Sequence, residues 1–268
     1  MEGRRYRLLN KTENPLLHFR QFGSGEPLII LHGLFGGWDN WYPVAKALSV
    51  RFGVYAIDQR NHGQSFHSDR FDYDAMAQDL RGFMDRRRLA AAALLGHSMG
   101  AKTAMRFAAI FPERVRRLIV VDITHRTTGG VTAESIEALR GLDLAAVARL
   151  KDADELLQPA IPDVGLRRFL LKNLDRAPDG RFRWKVHLDA IRRNLPLICG
   201  PVDIRMFPKP SLFIRGASSP YIADGDWPEI RRFFPQAELV TIPGSGHWPH
   251  VDNTAAFLQA VGDFLDRP

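Results

Sequence analysis

Ala93-Leu94-Leu95-Gly96-His97-Ser98-Met99-Gly100-Ala101 decides how this chain reads. A short apolar run with the length of a buried strand ends at Gly96, and a helical pattern opens at Ser98 and runs to Phe111, where Pro112 stops it. Gly-x-Ser-x-Gly at the bend of a strand-turn-helix is the context of a nucleophile elbow. The turn is tight, so a side chain at either glycine would meet the neighbouring strand and helix. The serine is thereby held at the tip with its hydroxyl exposed. Its backbone sits at a helix N-terminus, which favours negative charge.

On both sides of the elbow, apolar runs alternate with helical patterns. Pro27–His32, Gly53–Asp58, Ala93–Gly96, Leu118–Asp122, Leu212–Gly216 and Leu239–Ile242 are continuously apolar, as strands buried on both faces of a parallel sheet must be. Tyr6–Asn10 and Leu17–Phe22 are weaker strands, readable as an N-terminal hairpin. Asp39–Leu48, Tyr73–Asp85, Ser98–Phe111 and Asn253–Leu265 carry apolar residues at helical spacing. The expected fold is α/β, a mostly parallel central sheet flanked by helices.

The alternation breaks between about Thr124 and Met206. No strand run is evident there, and helical segments at Ala133–Leu150, Leu166–Leu174 and His187–Asn194 take its place. The expected organisation is a core of residues 1–125 and 207–268, with 126–206 inserted as a helical cap over the sheet edge where open α/β folds bind ligands.

Composition narrows the class. With 45% hydrophobic and 25% charged residues, the 268-residue chain is an ordinary globular protein and neither disordered nor collagen-like. The single cysteine, Cys199, excludes an internal disulfide framework. The 37 Lys and Arg against 30 Asp and Glu give a net charge of +7. The basic residues are dispersed in short groups such as Arg86–Arg88, without zinc-finger spacing or an RNA-binding aromatic motif, so solvated helix faces are expected and nucleic acid is not. Apolar runs are far shorter than the ~20 residues that span a bilayer, and no leader is seen behind Met1–Arg7. A cytoplasmic protein without stable membrane association is expected. The sequence carries no feature that sets an oligomeric state. No His–carboxylate spacing suggests a metal, and no cofactor is expected.

A nucleophilic serine needs oxyanion donors and a general base. His32-Gly33-Leu34-Phe35-Gly36-Gly37-Trp38 follows the first core strand, and its glycines let the loop backbone approach closely. Donors are expected from the backbone N–H of Met99 and of Leu34. Gly244-Ser245-Gly246-His247-Trp248-Pro249-His250 follows the last strand, and it offers His247 as the base, with His250 as its rival. Candidates to face substrate are His32, Phe35, Trp38, His97, Tyr221 and Trp248.

On these residues the chain resembles the α/β-hydrolase superfamily over nearly its full length. The resemblance rests on His32-Gly33, on Asp58-Gln59-Arg60-Asn61-His62-Gly63-Gln64-Ser65, on the elbow at Ser98 and on Gly246-His247. Within the superfamily it is similar to a branch of small bacterial esterases and thioesterases, through His32–Gly36 followed by Trp41, Arg60–Gly63, Gly96–Gly100 and Ser219-Pro220-Tyr221-Ile222. The segment from Asp58 to Ser65 is implied to be mainly structural. Most of the superfamily places the triad acid after the strand that ends here at Arg215-Gly216, but Ala217-Ser218-Ser219-Pro220 holds no carboxylate. Ser219 could accept a hydrogen bond from imidazole without stabilising its charge. Asp122, at the end of Leu118–Asp122, reaches the same sheet edge, and the resemblance implies an acid at this position. Asp224 and Asp226 are the alternatives.

The reaction so implied is hydrolysis of short- to medium-chain acyl esters through an acyl-enzyme. Acyl-CoA thioesters are the second substrate class, and a slow-turnover ligand receptor or sensor is the reading from a different functional class.

Overall fold

The computed structural model describes residues 16–267. Seven strands form the main sheet: β1 (Phe19–Phe22), β2 (Glu26–Leu31), β3 (Phe52–Ile57), β4 (Ala92–His97), β5 (Val115–Val121), β8 (Ser211–Gly216) and β9 (Ala237–Ile242). Their spatial order is β1-β3-β2-β4-β5-β8-β9, and every neighbouring pair is parallel except β1 with β3. The six strands anticipated from continuous apolar runs are all present. Leu17–Phe22 yields β1, which pairs with β3, while Tyr6–Asn10 lies outside the described residues.

Alternation along each strand divides the core in two. Ile29, Leu31, Leu94, Leu118, Val120 and Phe213 turn towards helices α2 (Tyr73–Arg86) and α3 (Met99–Ile110). Leu28, Ile30, Leu95, Ile119, Val121 and Ile214 turn towards α1 (Tyr42–Leu48) and α10 (Thr254–Leu265). Both faces are covered, and the central strands β3 and β4 are buried along their full length.

The link from β5 to β8 holds α4 (Ala133–Arg140), α5 (Leu150–Leu157), α6 (Val164–Leu171) and α7 (Leu188–Cys199). It also holds a two-stranded antiparallel sheet, β6 (Leu174–Arg176) with β7 (Phe182–Trp184), in a region where the sequence reading found no strand run. Each strand is only three residues long, too short for periodicity to register. The turn between them, Pro178-Asp179-Gly180 with Gly180 at φ +83°, was the available signal. The helix expected over 133–150 stops at Arg140, with Gly141 as its C-cap, and a second helix starts at Leu150. The helix expected to end at Asn194 runs through Pro196 to Cys199. Two further helices, α8 (Trp227–Phe233) and α9 (Pro249–Asp252), flank β9.

Asp58, at the end of β3, organises the loops above the sheet. Its carboxylate accepts the N–H of Trp38 at 2.8 Å and of Gln64 at 3.0 Å, and meets His18 Nδ1 at 2.8 Å. Nearby, buried Arg60 makes a two-point contact with buried Asp79 on α2, at 2.5 and 2.8 Å, and also donates to the carbonyls of Arg70 and Ala75. Removing one partner of such a pair strands a desolvated charge. Asp79→Ala is therefore expected to lower stability by about 3–5 kcal/mol in urea unfolding. A loss under about 1 kcal/mol, the scale of an exposed pair, would show that the guanidinium finds other partners.

Candidate active site

The elbow is set by crowding. A Cβ on Gly96 would lie 2.4 Å from the Gly100 carbonyl oxygen, and one on Gly100 would lie 2.2 Å from that of Leu31. Only glycines let β2, β4 and the first turn of α3 come this close. Ser98, the N-cap of α3, is consequently bent to φ 51°, ψ −119°, and its N–H is held by the Val121 carbonyl on β5 at 3.1 Å. Such a backbone is strained for a residue with a side chain. Met99 follows as the first residue of α3, where N–H groups have no intrahelical acceptor.

Asp122 is placed one residue beyond β5, fully buried, with φ 54°. Three donors converge on its carboxylate. The Gly216 N–H reaches Oδ1 at 3.0 Å, while the Ser219 hydroxyl and His247 Nδ1 reach Oδ2 at 2.5 and 2.8 Å. They compensate the burial of a group without a cationic partner. Ser219, read from sequence as a possible acceptor for imidazole, is instead a donor to Asp122. With Nδ1–H directed at the carboxylate, His247 keeps Nε2 as its acceptor nitrogen. Asp224 pairs with Arg215 and Asp226 with Arg126, at 2.6 and 2.7 Å, so neither alternative acid is engaged with His247. His250, the rival base, is buried and stacks on Trp41 at 4.0 Å.

Ser98 and His247 line one cavity of about 330 Å³ between the sheet edge and the segment linking β5 to β8. Leu34, Met99, Tyr221 and Trp248 are also on its wall, and Tyr221 stacks on the His247 ring at 4.1 Å. His97 reaches the wall too, but its ring is committed: Nε2–H donates to the His247 carbonyl at 2.7 Å. His32, Phe35 and Trp38, expected to face substrate, are absent from this wall. His32 points into the protein, where Nδ1–H donates to the Gly33 carbonyl and Nε2 accepts the Gln59 N–H. Phe35 is buried with its N–H on His62 Nε2, and Trp38 is anchored through its N–H to Asp58. These three shape the loop that carries Leu34. The wall residues that sequence reasoning missed come largely from the inserted segment, among them Leu166, Phe169, Ile198 and Cys199, and from α3 at Lys102. Nothing local in a Leu- and Phe-rich helix separates a lining residue from a packing one.

The buried histidines are held neutral. Burial lowers His32 and takes His97 well below the ordinary imidazole value, while His62 and His250 are pushed down to about 3. The unfolded chain takes up these protons near pH 6.5 and the folded chain does not, so stability is present above pH 6.5 and lost as pH falls towards 3. Each such histidine contributes a slope of about 1.4 kcal/mol per pH unit. Denaturant unfolding between pH 7 and 4.5 is expected to show this decline, with the His62 and His250 rings still neutral by NMR at pH 5. Titration of either ring near 6.5 in the folded protein would contradict the assignment.

Comparison with known proteins agrees with this architecture. Residues 26–156 match the family described as alpha/beta hydrolase fold. The chain is 40% identical over 248 residues to the sn-1-specific diacylglycerol lipase ABHD11 of Mus musculus, covering 89% of this chain and 80% of that protein. It is 30% identical to Esterase YbfF of Escherichia coli, covering 91% of this chain and 94% of that one. Among solved structures, a marine microorganism esterase superposes with a TM-score of 0.88 at 43% identity, over 94% of this chain and all of that one. The chain belongs to the α/β-hydrolase fold family, as a hydrolase of the esterase/lipase type.

Proposed function

We propose that the chain hydrolyses carboxylic esters of short- to medium-chain acyl groups, with Ser98 as nucleophile, His247 as general base and acid, and Asp122 as the acid that orients the imidazole. The observation that carries this reading is the 2.8 Å contact between His247 Nδ1 and Asp122 Oδ2, on the wall of the cavity that also holds Ser98. Ser98 Oγ attacks the ester carbonyl carbon while His247 Nε2 takes its proton. The carbonyl oxygen, now negative, lies between the N–H groups of Leu34 and Met99. The tetrahedral intermediate expels the alcohol, which leaves with the proton from His247. Water then gives a proton to the same nitrogen and attacks the acyl-enzyme, and the second tetrahedral intermediate expels Ser98 Oγ, which takes the proton back from His247 as the acid leaves.

Residues 126–206 act as a cap that supplies the outer wall. A cavity of about 330 Å³ is near the lower end of the ~300–1,000 Å³ usual for small-molecule sites, which favours compact acyl groups over long ones. Cap-derived Leu166, Phe169 and Ile198 supply apolar contact for the acyl chain.

Two measurements test this. In a series of p-nitrophenyl esters from acetate to laurate, turnover is expected to peak below laurate and to vanish in Ser98→Ala. No turnover on any ester, with Ser98 still labelled by a fluorophosphonate, would transfer the site to a ligand sensor or another substrate class. Asp122→Asn is expected to lower kcat by about 10⁴, the cost of presenting the wrong imidazole tautomer. Asp224→Asn and Asp226→Asn are expected to retain it; the reverse pattern would overturn the assignment of the acid.

A further inference from the structure

Lys102 is a buried cation on the cavity wall that the proposed mechanism leaves unused. It lies on α3, one turn beyond Ser98, with 1% of its surface exposed, and its side chain reaches the cavity wall. Its ammonium has no carboxylate partner among the described residues. It donates instead to the carbonyls of Arg126 and Gly200, both at 2.7 Å, and to the Thr128 hydroxyl at 3.3 Å. The Tyr73 ring centroid is 6.0 Å from Nζ. A cation so placed is costly to keep, and burial lowers it from its ordinary value to about 8.

The two carbonyls it holds have a particular address. Arg126 is where the chain leaves β5 for the inserted segment, and Gly200 is where it returns after α7. The two crossings also bond to one another, Thr128 N–H to the Cys199 carbonyl and Val202 N–H to that of His125, both at 2.8 Å. Together they form a narrow neck, and Lys102 fastens both of its strands to the helix that starts at the nucleophile. Thr128, Ile198 and Cys199, all within two residues of the fastened carbonyls, are themselves on the cavity wall.

We infer that Lys102 is a positioning residue that pins the neck of the insertion to α3 and thereby fixes the wall of the acyl site relative to Ser98. It makes no bond to substrate in this assignment and acts through the placement of Thr128, Ile198 and Cys199. A longer acyl chain covers more of that wall than a short one and so depends on it more. The catalytic part of this inference rests on the proposed esterase reading; the structural part does not.

The test compares Lys102→Met with the wild type by ester kinetics and by hydrogen–deuterium exchange. In the variant, kcat/KM for p-nitrophenyl octanoate is expected to fall about tenfold or more, through KM, for the loss of charge-assisted hydrogen bonds. The value for the acetate is expected to fall by less, so that the octanoate-to-acetate ratio drops. Amides 126–130 and 198–203 exchange faster, while those of β4 and β5 do not. An unaltered octanoate-to-acetate ratio with unaltered neck exchange would overturn the inference, because Lys102 would then only fill space. An equal loss on both esters with a protected neck would also overturn it, placing the effect at the elbow. Should the variant fail to fold, exchange in the wild type decides: the Thr128 and Val202 amides are expected to be as protected as those of β5, and exchange as fast as in the 158–163 loop would refute the clamp. If the wild type turned over no ester at all, the exchange comparison would still judge the neck while the esterase reading fell separately.

Discussion

The close approach of Gly96, Gly100 and the Leu31 carbonyl is the constraint on which the rest depends. Three backbones meet there at distances that exclude a single methyl group. That contact seats α3 on the sheet and forces Ser98 out of the helix into a left-handed bend. It also fixes how near the serine lies to the two neighbouring strand ends, β2 with the Leu34 loop and β5 with Asp122. The strain at Ser98 and at Asp122 is tolerated because tight packing on both sheet faces over-determines both positions.

Around that point, polar order is maintained by neutral groups in fixed tautomers. His32 and His62 each accept a backbone N–H at Nε2 and donate from Nδ1 to a carbonyl, so each ring is spent on bracing the loop from His32 to Trp38. Burial penalises the charged imidazole, which would lose the acceptor both bonds require. Asp58 complements them as a carboxylate with three donors, and Asp122 repeats the device beyond the end of β5. Only His247 among the histidines of this cluster is partly exposed, on the cavity wall, with a nitrogen left free of a protein partner among the described residues.

The sheet was legible because buried parallel strands must be continuously apolar, a pattern few other elements produce. The elbow was legible because crowding leaves glycine as the only choice at two fixed offsets. The short hairpin at 174–184 escaped, since three-residue strands have no period, although Pro178-Asp179-Gly180 announced the turn. The wall of the cavity was hardly legible. Trp248 and Tyr221 lie on it and Trp38 does not, yet all three are aromatic loop residues next to motif segments. What separates them is a long-range bond, Trp38 N–H to Asp58, that pairwise distance in sequence does not reveal. Lys102 was similarly opaque, because a lysine four residues into a helix reads as solvent-facing unless its three acceptors, from residues 126, 128 and 200, are known.

The position of Asp122 also bears on how the site comes into being. Ser98 and Asp122 belong to one β4-α3-β5 unit, so their relative placement depends on contacts local in sequence, which form quickly and at low loop-closure entropy. His247 is 125 residues beyond Asp122 and joins only when β8 and β9 have added to the sheet edge. Had the carboxylate that meets His247 followed β8 instead, both it and the histidine would have waited for that late addition. During synthesis the bend at Ser98 can therefore form while the Asp122 carboxylate still waits for its donors, all of which come from Gly216 onward, and the full arrangement arises only when the segment carrying His247 has emerged.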